Sequence, residues 1–363
     1  MRRASSRSDT KVSPLDVVEA AYALEADEDT WYRELAKRVA ALLDEGYGVE
    51  AVRFDLQKGR VTDPVVVGGT AEWQRSWREN WWEPLMQALD GPQLRFATQF
   101  GQVFYSSALW RAAHERDSKY RRLLSQLGGS GWGEAFGQFA TRPVNSRLFY
   151  PDSLNVLAVD PSSVGLGFFS QTSQLASRPV PAEKAALWTK LSGHIVAALR
   201  LRAKLQSTSY GEAVIHPNGR LEHVEGPARR AAAQDSLRRA TQQVDRARTR
   251  RIRKTDEALE LWRALHAGRW SLVETFESDG RRYYIARPNV PSPPARSFSN
   301  LSERERQVVS LLALGRTNKA ISYELGLSTS TVATLLRRAA ARLGLRNAME
   351  LGVWARRELV HET

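Results

Sequence analysis

The segment Pro288-Asn289-Val290-Pro291-Ser292-Pro293-Pro294 places four prolines in seven residues. Each proline lacks the amide hydrogen that a helix or a central strand needs, and each fixes φ near about −65°. No regular element runs through such a stretch, so it reads as an extended linker that divides the chain. The 363 residues also exceed what one apolar core usually spans. The expected organisation is 12–206, then 207–287, a Pro/Ser-rich linker at 288–300, and a small unit at 301–363.

Composition narrows the chemistry. There is no cysteine, which removes disulfides, thiolate nucleophiles, iron–sulfur clusters and cysteine-ligated zinc. No apolar run approaches the roughly 20 residues needed to span a bilayer. Met1 to Lys11 is polar and lacks the core of a signal peptide. The expectation is a cytoplasmic protein, nucleoid-associated when bound, with no membrane partner.

The net charge of +13 is unevenly placed. Residues 227–254 hold ten basic side chains against Asp235 and Asp245, a net +8. Residues 296–363 hold eleven basic against six acidic, a net +5. The rest of the chain is neutral. Charge confined to two segments suggests a polyanion, nucleic acid above all, although a solvated helix face accounts equally well for 227–254.

Upstream of the linker the periodicities alternate. Pro14 to Glu45 reads as two helices, with Leu35, Val39, Leu42 and Leu43 at helical spacing. Val49–Leu56 and Val61–Val67 read as a strand pair, and Ala71–Leu89 as a helix carrying Trp73, Trp77, Trp81 and Trp82. Leu154–Val159 and Gly165–Gln171 form a second strand group around the turn Asp160-Pro161-Ser162-Ser163. A helix from Pro181 to Leu205 shows one apolar stripe, Leu187, Leu191, Ile195, Ala198 and Leu199. Short strands at Ala213–Ile215 and Arg220–His223 flank His216-Pro217-Asn218-Gly219. A long helix is expected from Pro227 to about Ala267, and then a hairpin, Trp270–Phe276 with Arg281–Arg287.

Beyond the linker, Ser302 and Glu305 form a capping box for a helix that runs to Leu314 and stops at Gly315. Thr317 caps a short helix, Asn318 to Leu325. After the Gly326-Leu327 turn, Ser328 caps a third helix that ends before Gly344, and Asn347 opens a fourth. A short helix, a glycine-containing turn and a longer capped helix make a helix-turn-helix. On the third helix Val332, Leu336, Ala339, Ala340 and Leu343 form the buried stripe. Ser330, Ala333, Thr334, Arg337 and Ala341 face the other way, flanked by Thr331, Arg338 and Arg342. That narrow basic face suits a major groove about 12 Å wide, and the helix N-terminus offers amides to a phosphate.

Leu301-Ser302-Glu303-Arg304-Glu305, Leu311-Leu312-Ala313-Leu314-Gly315, Asn318-Lys319, Ile321, Leu325-Gly326-Leu327-Ser328, Thr331-Val332 and Leu343-Gly344-Leu345 with Asn347 together resemble the LuxR-type DNA-binding domain. The resemblance implies a bacterial transcription regulator whose third helix reads the major groove of double-stranded DNA. It implies a homodimer formed through the fourth helix, and RNA polymerase is a further expected partner. The expected DNA-binding residues are Lys319, Thr329, Ser330, Thr331, Thr334, Arg337, Arg338 and Arg342. The sequence departs from the family at Ala320, usually acidic, at Ala333, usually basic, and at Leu335, often histidine. A missing groove-facing cation weakens phosphate contact.

The layout of residues 15–206, closing on Ala197-Ala198-Leu199-Arg200-Leu201-Arg202, resembles the GAF-like sensor regions attached to such domains. Ala213–Ala228 with Trp270–Arg287 resembles a PAS-like unit into which the basic helix is inserted. The expected fold class is therefore an α+β sensor-like region followed by a small all-α four-helix LuxR-type unit. Trp73, Trp77, Trp81, Trp82, Phe96, Phe100, Phe104, Tyr105 and Trp110 would fill a core or wall a pocket for an unidentified small-molecule ligand.

Enzyme signatures fail. Gly128-Gly129-Ser130-Gly131-Trp132 lacks the last glycine of a nucleophile elbow, and Gly165-Leu166-Gly167-Phe168-Phe169-Ser170 lacks the end of a dinucleotide fingerprint. His216, His223 and Glu225 are read as solvated rather than metal-binding. No cofactor, metal or catalytic residue is expected. A second reading keeps the C-terminal unit as a protein-interaction or dimerisation module, its recognition helix degenerate at Ala333 and Leu335, modulating another regulator.

Overall fold

The computed structural model describes residues 12–55, 60–62, 64–69, 102–108, 152–162, 164–172, 179–205, 211–278, 281–290, 298 and 300–361. The expected tryptophan helix at 71–89 and most of the aromatic cluster lie outside the described residues. So do the two near-motifs' first member, Gly128–Trp132, and the middle of the linker.

Helix α1 (Pro14–Ala21) and helix α2 (Glu28–Leu43) open the chain, capped by Ser13 with Asp16 and by Asp27. Strand β1 (Val49–Asp55) pairs with β2 (Arg60–Val61) and β3 (Val65–Val67), so the expected partner strand is split in two. With β4 (Val103–Tyr105), β5 (Asp152–Val159) and β6 (Val164–Thr172) they form one antiparallel sheet. Its order is β2-β1-β6-β5-β4, with β3 also on β1. Helix α3 (Ala182–Leu205) follows.

The sheet's alternation separates two faces. Val49, Ala51, Leu154, Val156, Ala158, Leu166 and Phe168 share a core with α1, α2 and α3. The other face carries Val52, Phe54, Phe104, Leu157 and Val159. Gly165 and Gly167 lie on that second face, where an added Cβ would fall 2.7 Å from the Phe54 ring and 2.9 Å from the Phe169 ring. The Gly-x-Gly pair is thus a bed for two aromatic side chains.

A second sheet, ordered β8-β7-β10-β9, is built from β7 (Ala213–Ile215), β8 (Leu221–Val224), β9 (Trp270–Ser278) and β10 (Arg281–Pro288). The expected single helix between β8 and β9 is instead a 3-10 turn (Gly226–Arg229), α4 (Ala231–Ala247), a run of turns, and α5 (Asp256–Leu261). The interruption has a cause. Arg253 turns away to Asp16 (2.6 Å) and Glu19 on α1, Arg248 reaches Glu19 (3.1 Å), and the Thr249 hydroxyl donates to the Arg246 carbonyl (2.8 Å).

Helix α3 also departs from the one-stripe expectation. Every residue from Leu191 to Ala198 is buried. It is a central helix, in contact with α1, with β4, β5 and β6, and with the C-terminal unit. Asn289, just after β10, is fully buried, donating to the Ala197 carbonyl and to Ser271 Oγ (2.8 Å each). The proline-rich segment therefore begins from an anchored residue. Among the described residues no helix is long and apolar enough to cross a membrane.

The C-terminal unit consists of α6 (Glu303–Ala313), α7 (Asn318–Leu325), α8 (Thr329–Arg342) and α9 (Ala348–His361). Its apolar side chains join Val52, Phe54, Phe104, Leu157, Val159 and Leu265 in one cluster. The α+β region and the helical unit thus share a core.

Candidate nucleic-acid interface

Local chemistry sets each helix start. Ser302 Oγ accepts from the Glu305 amide (3.3 Å) and the Ser302 amide donates to Glu305 Oε2 (2.8 Å), completing the capping box. Thr317 Oγ1 accepts from the Ala320 amide (3.2 Å). With alanine at 320, this cap has no carboxylate to return the bond. Ser328 Oγ accepts from the Thr331 amide (3.0 Å) and lies 2.8 Å from both Ser330 Oγ and Thr331 Oγ1. Gly326 ends α7 at φ +62°, a left-handed conformation that favours glycine.

Helix α8 buries Val332, Leu336, Ala339 and Ala340. Its outer surface exposes Thr329, Ser330, Thr331, Ala333, Arg337, Arg338, Ala341 and Arg342, with Thr334 and Leu335 half-buried. Lys319 is exposed in the first turn of α7. Lys319, Arg337 and Arg338 have no carboxylate partner among the described residues. Arg342 is different: its Nη1 lies 2.9 Å from Glu305 Oε2, so it ties the end of α8 to the cap of α6. Of the eight expected site residues, six are exposed without an acid partner among the described residues, Thr334 is half-buried, and Arg342 is engaged internally.

The opposite side of α7 faces the α+β region. Tyr323 is buried, and its hydroxyl donates to the Leu259 carbonyl (2.7 Å). His194 on α3 places Nε2 2.9 Å from the Trp262 carbonyl and 3.1 Å from Tyr323 Oη. Because that carbonyl only accepts, Nε2 carries the hydrogen. Burial lowers the His194 pKa from 6.5 to about 3, so the ring is neutral.

Arg316 is likewise buried, donating to the Val159 carbonyl (3.2 Å), with the Gln102 carboxamide oxygen 2.9 Å from its Nε. Glu324 lies 3.9 Å from Arg316 and packs on Gly193 of α3. Burial raises the Glu324 pKa and lowers that of Arg316 to about 10, each opposed by the other's charge. Next to them Asp160 and Arg200 form a buried pair at 2.8 Å. Where Gly326 turns, an added Cβ would fall 2.2 Å from the Leu265 carbonyl oxygen.

Sequence reasoning missed Tyr323, Arg316, Glu324 and His194. The one available signal was two charges, Arg316 just before α7 and Glu324 within its last turn, on a short helix that is buried from Ala320 to Leu325. The result is a helix-turn-helix gripped by α7 while the outer face of α8 stays open.

The outlying histidines do not converge. His223 pairs with Glu225 (3.1 Å) on the surface, and His216 packs edge-on against Tyr283.

No curated protein sequence matches the chain. Residues 299–355, however, match the family model described as "GerE: Bacterial regulatory proteins, luxR family". The stretch that folds here as a capped helix-turn-helix is therefore the stretch that carries the pattern of a luxR-family bacterial regulatory domain.

Proposed function

We propose that this chain is a DNA-binding transcription regulator in which α8 enters the major groove and the α+β region controls its use. Ser330, Thr334, Arg337 and Arg338 face base edges and phosphates; Lys319, Thr329 and Thr331 touch the backbone. Arg342 acts through Glu305, holding the end of α8 in place. The observation that carries the reading is the pair Arg337 and Arg338, exposed and without acid partners among the described residues, on the helix face away from a buried stripe.

Helix α7 is docked on the α+β region while the outer residues of α8 stay exposed. The α+β region, which we read as GAF-like and PAS-like units, then governs binding by setting the position of the helix-turn-helix rather than by covering α8. A small-molecule ligand of that region and a contact with RNA polymerase belong to the same reading. So does a homodimer through α9, where Met349 and Val353, one turn apart, are 80% and 47% exposed.

The interaction-module alternative is less well supported. Met349 and Val353 are the exposed large apolar side chains among the described residues, and neither is on α8. A module that docks through α9 leaves the exposed Arg337 and Arg338 of α8 without a role.

Electrophoretic shift of genomic fragments tests the proposal. It expects retarded complexes near 50 mM salt that weaken steeply toward about 200 mM. Failure to retard any fragment at the lower salt contradicts it.

A further inference from the structure

The net +8 of residues 227–254 is sorted by the fold. Arg248 and Arg253 turn inward to Glu19 and Asp16 on α1, and Arg248 also stacks over Trp262 at 5.0 Å. Arg238 and Arg246 hold surface pairs with Asp235 and Glu257, both at 3.0 Å. Arg229, Arg230, Arg239, Arg250, Arg251 and Lys254 are exposed with no carboxylate partner among the described residues.

Folding alone does not favour this placement. Arg230 is the N-cap of α4, its side chain makes no capping bond, and the first turn holds no acid. Cations at the positive end of a helix dipole are destabilising. Arg239 and Arg246 lie two turns apart on one ridge of α4, and Arg250, Arg251 and Lys254 are exposed in the turns that follow it. Seventeen residues of α4 span about 25 Å, the axial length of roughly seven phosphates on one DNA strand.

The inner face of α4, with Leu237, Ala240 and Val244, is buried. The surface is therefore basic without an exposed apolar face, which is unlike a helix that lies in a lipid interface. It is also joined to the helix-turn-helix by a short support. Arg246 pairs with Glu257 at the start of α5, and the Leu259 and Trp262 carbonyls at its end hold Tyr323 of α7. Six helical residues span about 9 Å.

We propose that this arginine surface holds the phosphate backbone of duplex DNA outside the stretch read by α8, as a second, sequence-independent contact on the same duplex. The inference rests on the reading of α8 as the groove-binding helix.

The test uses the full chain, the triple variant Arg239→Gln/Arg250→Gln/Arg251→Gln, and the double variant Arg337→Ala/Arg338→Ala. Affinity is measured against salt on mixed-sequence duplexes of about 10 and about 60 base pairs, one and six helical turns, the shorter being about 34 Å long. The triple variant is expected to lose two to three units of log–log salt slope and at least about tenfold affinity on the long duplex, and to match wild type on the short one. The double variant is expected to weaken on both lengths. An unchanged triple variant on the long duplex, equal loss on both lengths, or tighter binding to single-stranded RNA of the same length overturns the proposal. If only the double variant is unchanged, the α8 reading fails and the proposal of a second contact falls with it, although the arginine surface itself then binds DNA.

Discussion

His194 Nε2 on α3 lies 3.1 Å from Tyr323 Oη on α7, across 129 residues of sequence and across the boundary between the α+β region and the helix-turn-helix. Trp262 supplies the carbonyl that both groups approach. Tyr22 completes the cluster, its ring edge-on to His194 and stacked with Trp262. A helix next to the proposed groove-binding helix is thus pinned by polar bonds to the centre of the other region.

Tyr323→Phe removes the hydroxyl but keeps the ring, leaving the buried Leu259 carbonyl without its donor. A loss of about 1–2 kcal/mol is expected, measured by urea unfolding. Hydrogen exchange should rise in α7 and in residues 259–268 together. Unchanged exchange in 259–268 would contradict the coupling of these segments.

The buried, neutral His194 is expected to make stability depend on pH. Its folded pKa is lowered to about 3 by burial, against an ordinary 6.5 in the unfolded chain. Between those values only the unfolded state takes up a proton, so stability falls as pH falls, by about 1.4 kcal/mol per unit. Wild type should lose roughly 2 kcal/mol more than His194→Gln between about pH 7 and pH 5. Parallel stability curves for the two proteins would refute this. His266, also lowered by burial to about 4, contributes equally to both curves.

Gly326→Ala meets two obstacles, a φ of +62° and a carbonyl oxygen 2.2 Å from the new Cβ. The left-handed conformation alone costs about 1–2 kcal/mol, and relieving the clash must shift Leu265 or α7. A destabilisation above about 2 kcal/mol is expected in denaturant titration. A change within about 0.5 kcal/mol, typical of a neutral surface site, would contradict the close approach.

Arg342 should behave as a strut. Arg342→Ala leaves the buried Glu305 carboxylate without its ion pair and should lower the melting temperature, whereas Arg338→Ala, at an exposed site, should leave it unchanged. Equal melting temperatures for the two variants would return Arg342 to the DNA-contacting group.

The features legible in the sequence were those set by neighbouring residues. Ser302, Thr317 and Ser328 start helices because their side chains reach amides three residues on, and Gly326 ends one because of its own φ. The alternating runs of β5, β6, β9 and β10 were legible for the same reason. What was hidden depends on distant partners. Helix α3 reads as a one-stripe helix because Ser192, His194 and Arg200 are polar, yet all three are buried, His194 and Arg200 through partners far along the chain. The break after α4 was invisible because Arg253 finds its acids on α1, more than 230 residues away. The strand at Gly165 and Gly167 was legible, but not that Phe54 and Phe169 pack against those two glycines.

The most direct test of the central claim is the salt dependence of DNA affinity for wild type and for Arg337→Ala/Arg338→Ala. Two lost phosphate or base contacts should flatten the log–log slope by about 2 and weaken binding at every salt concentration. If the double variant binds duplex DNA with wild-type affinity and slope across the whole range, α8 is not the helix that enters the groove.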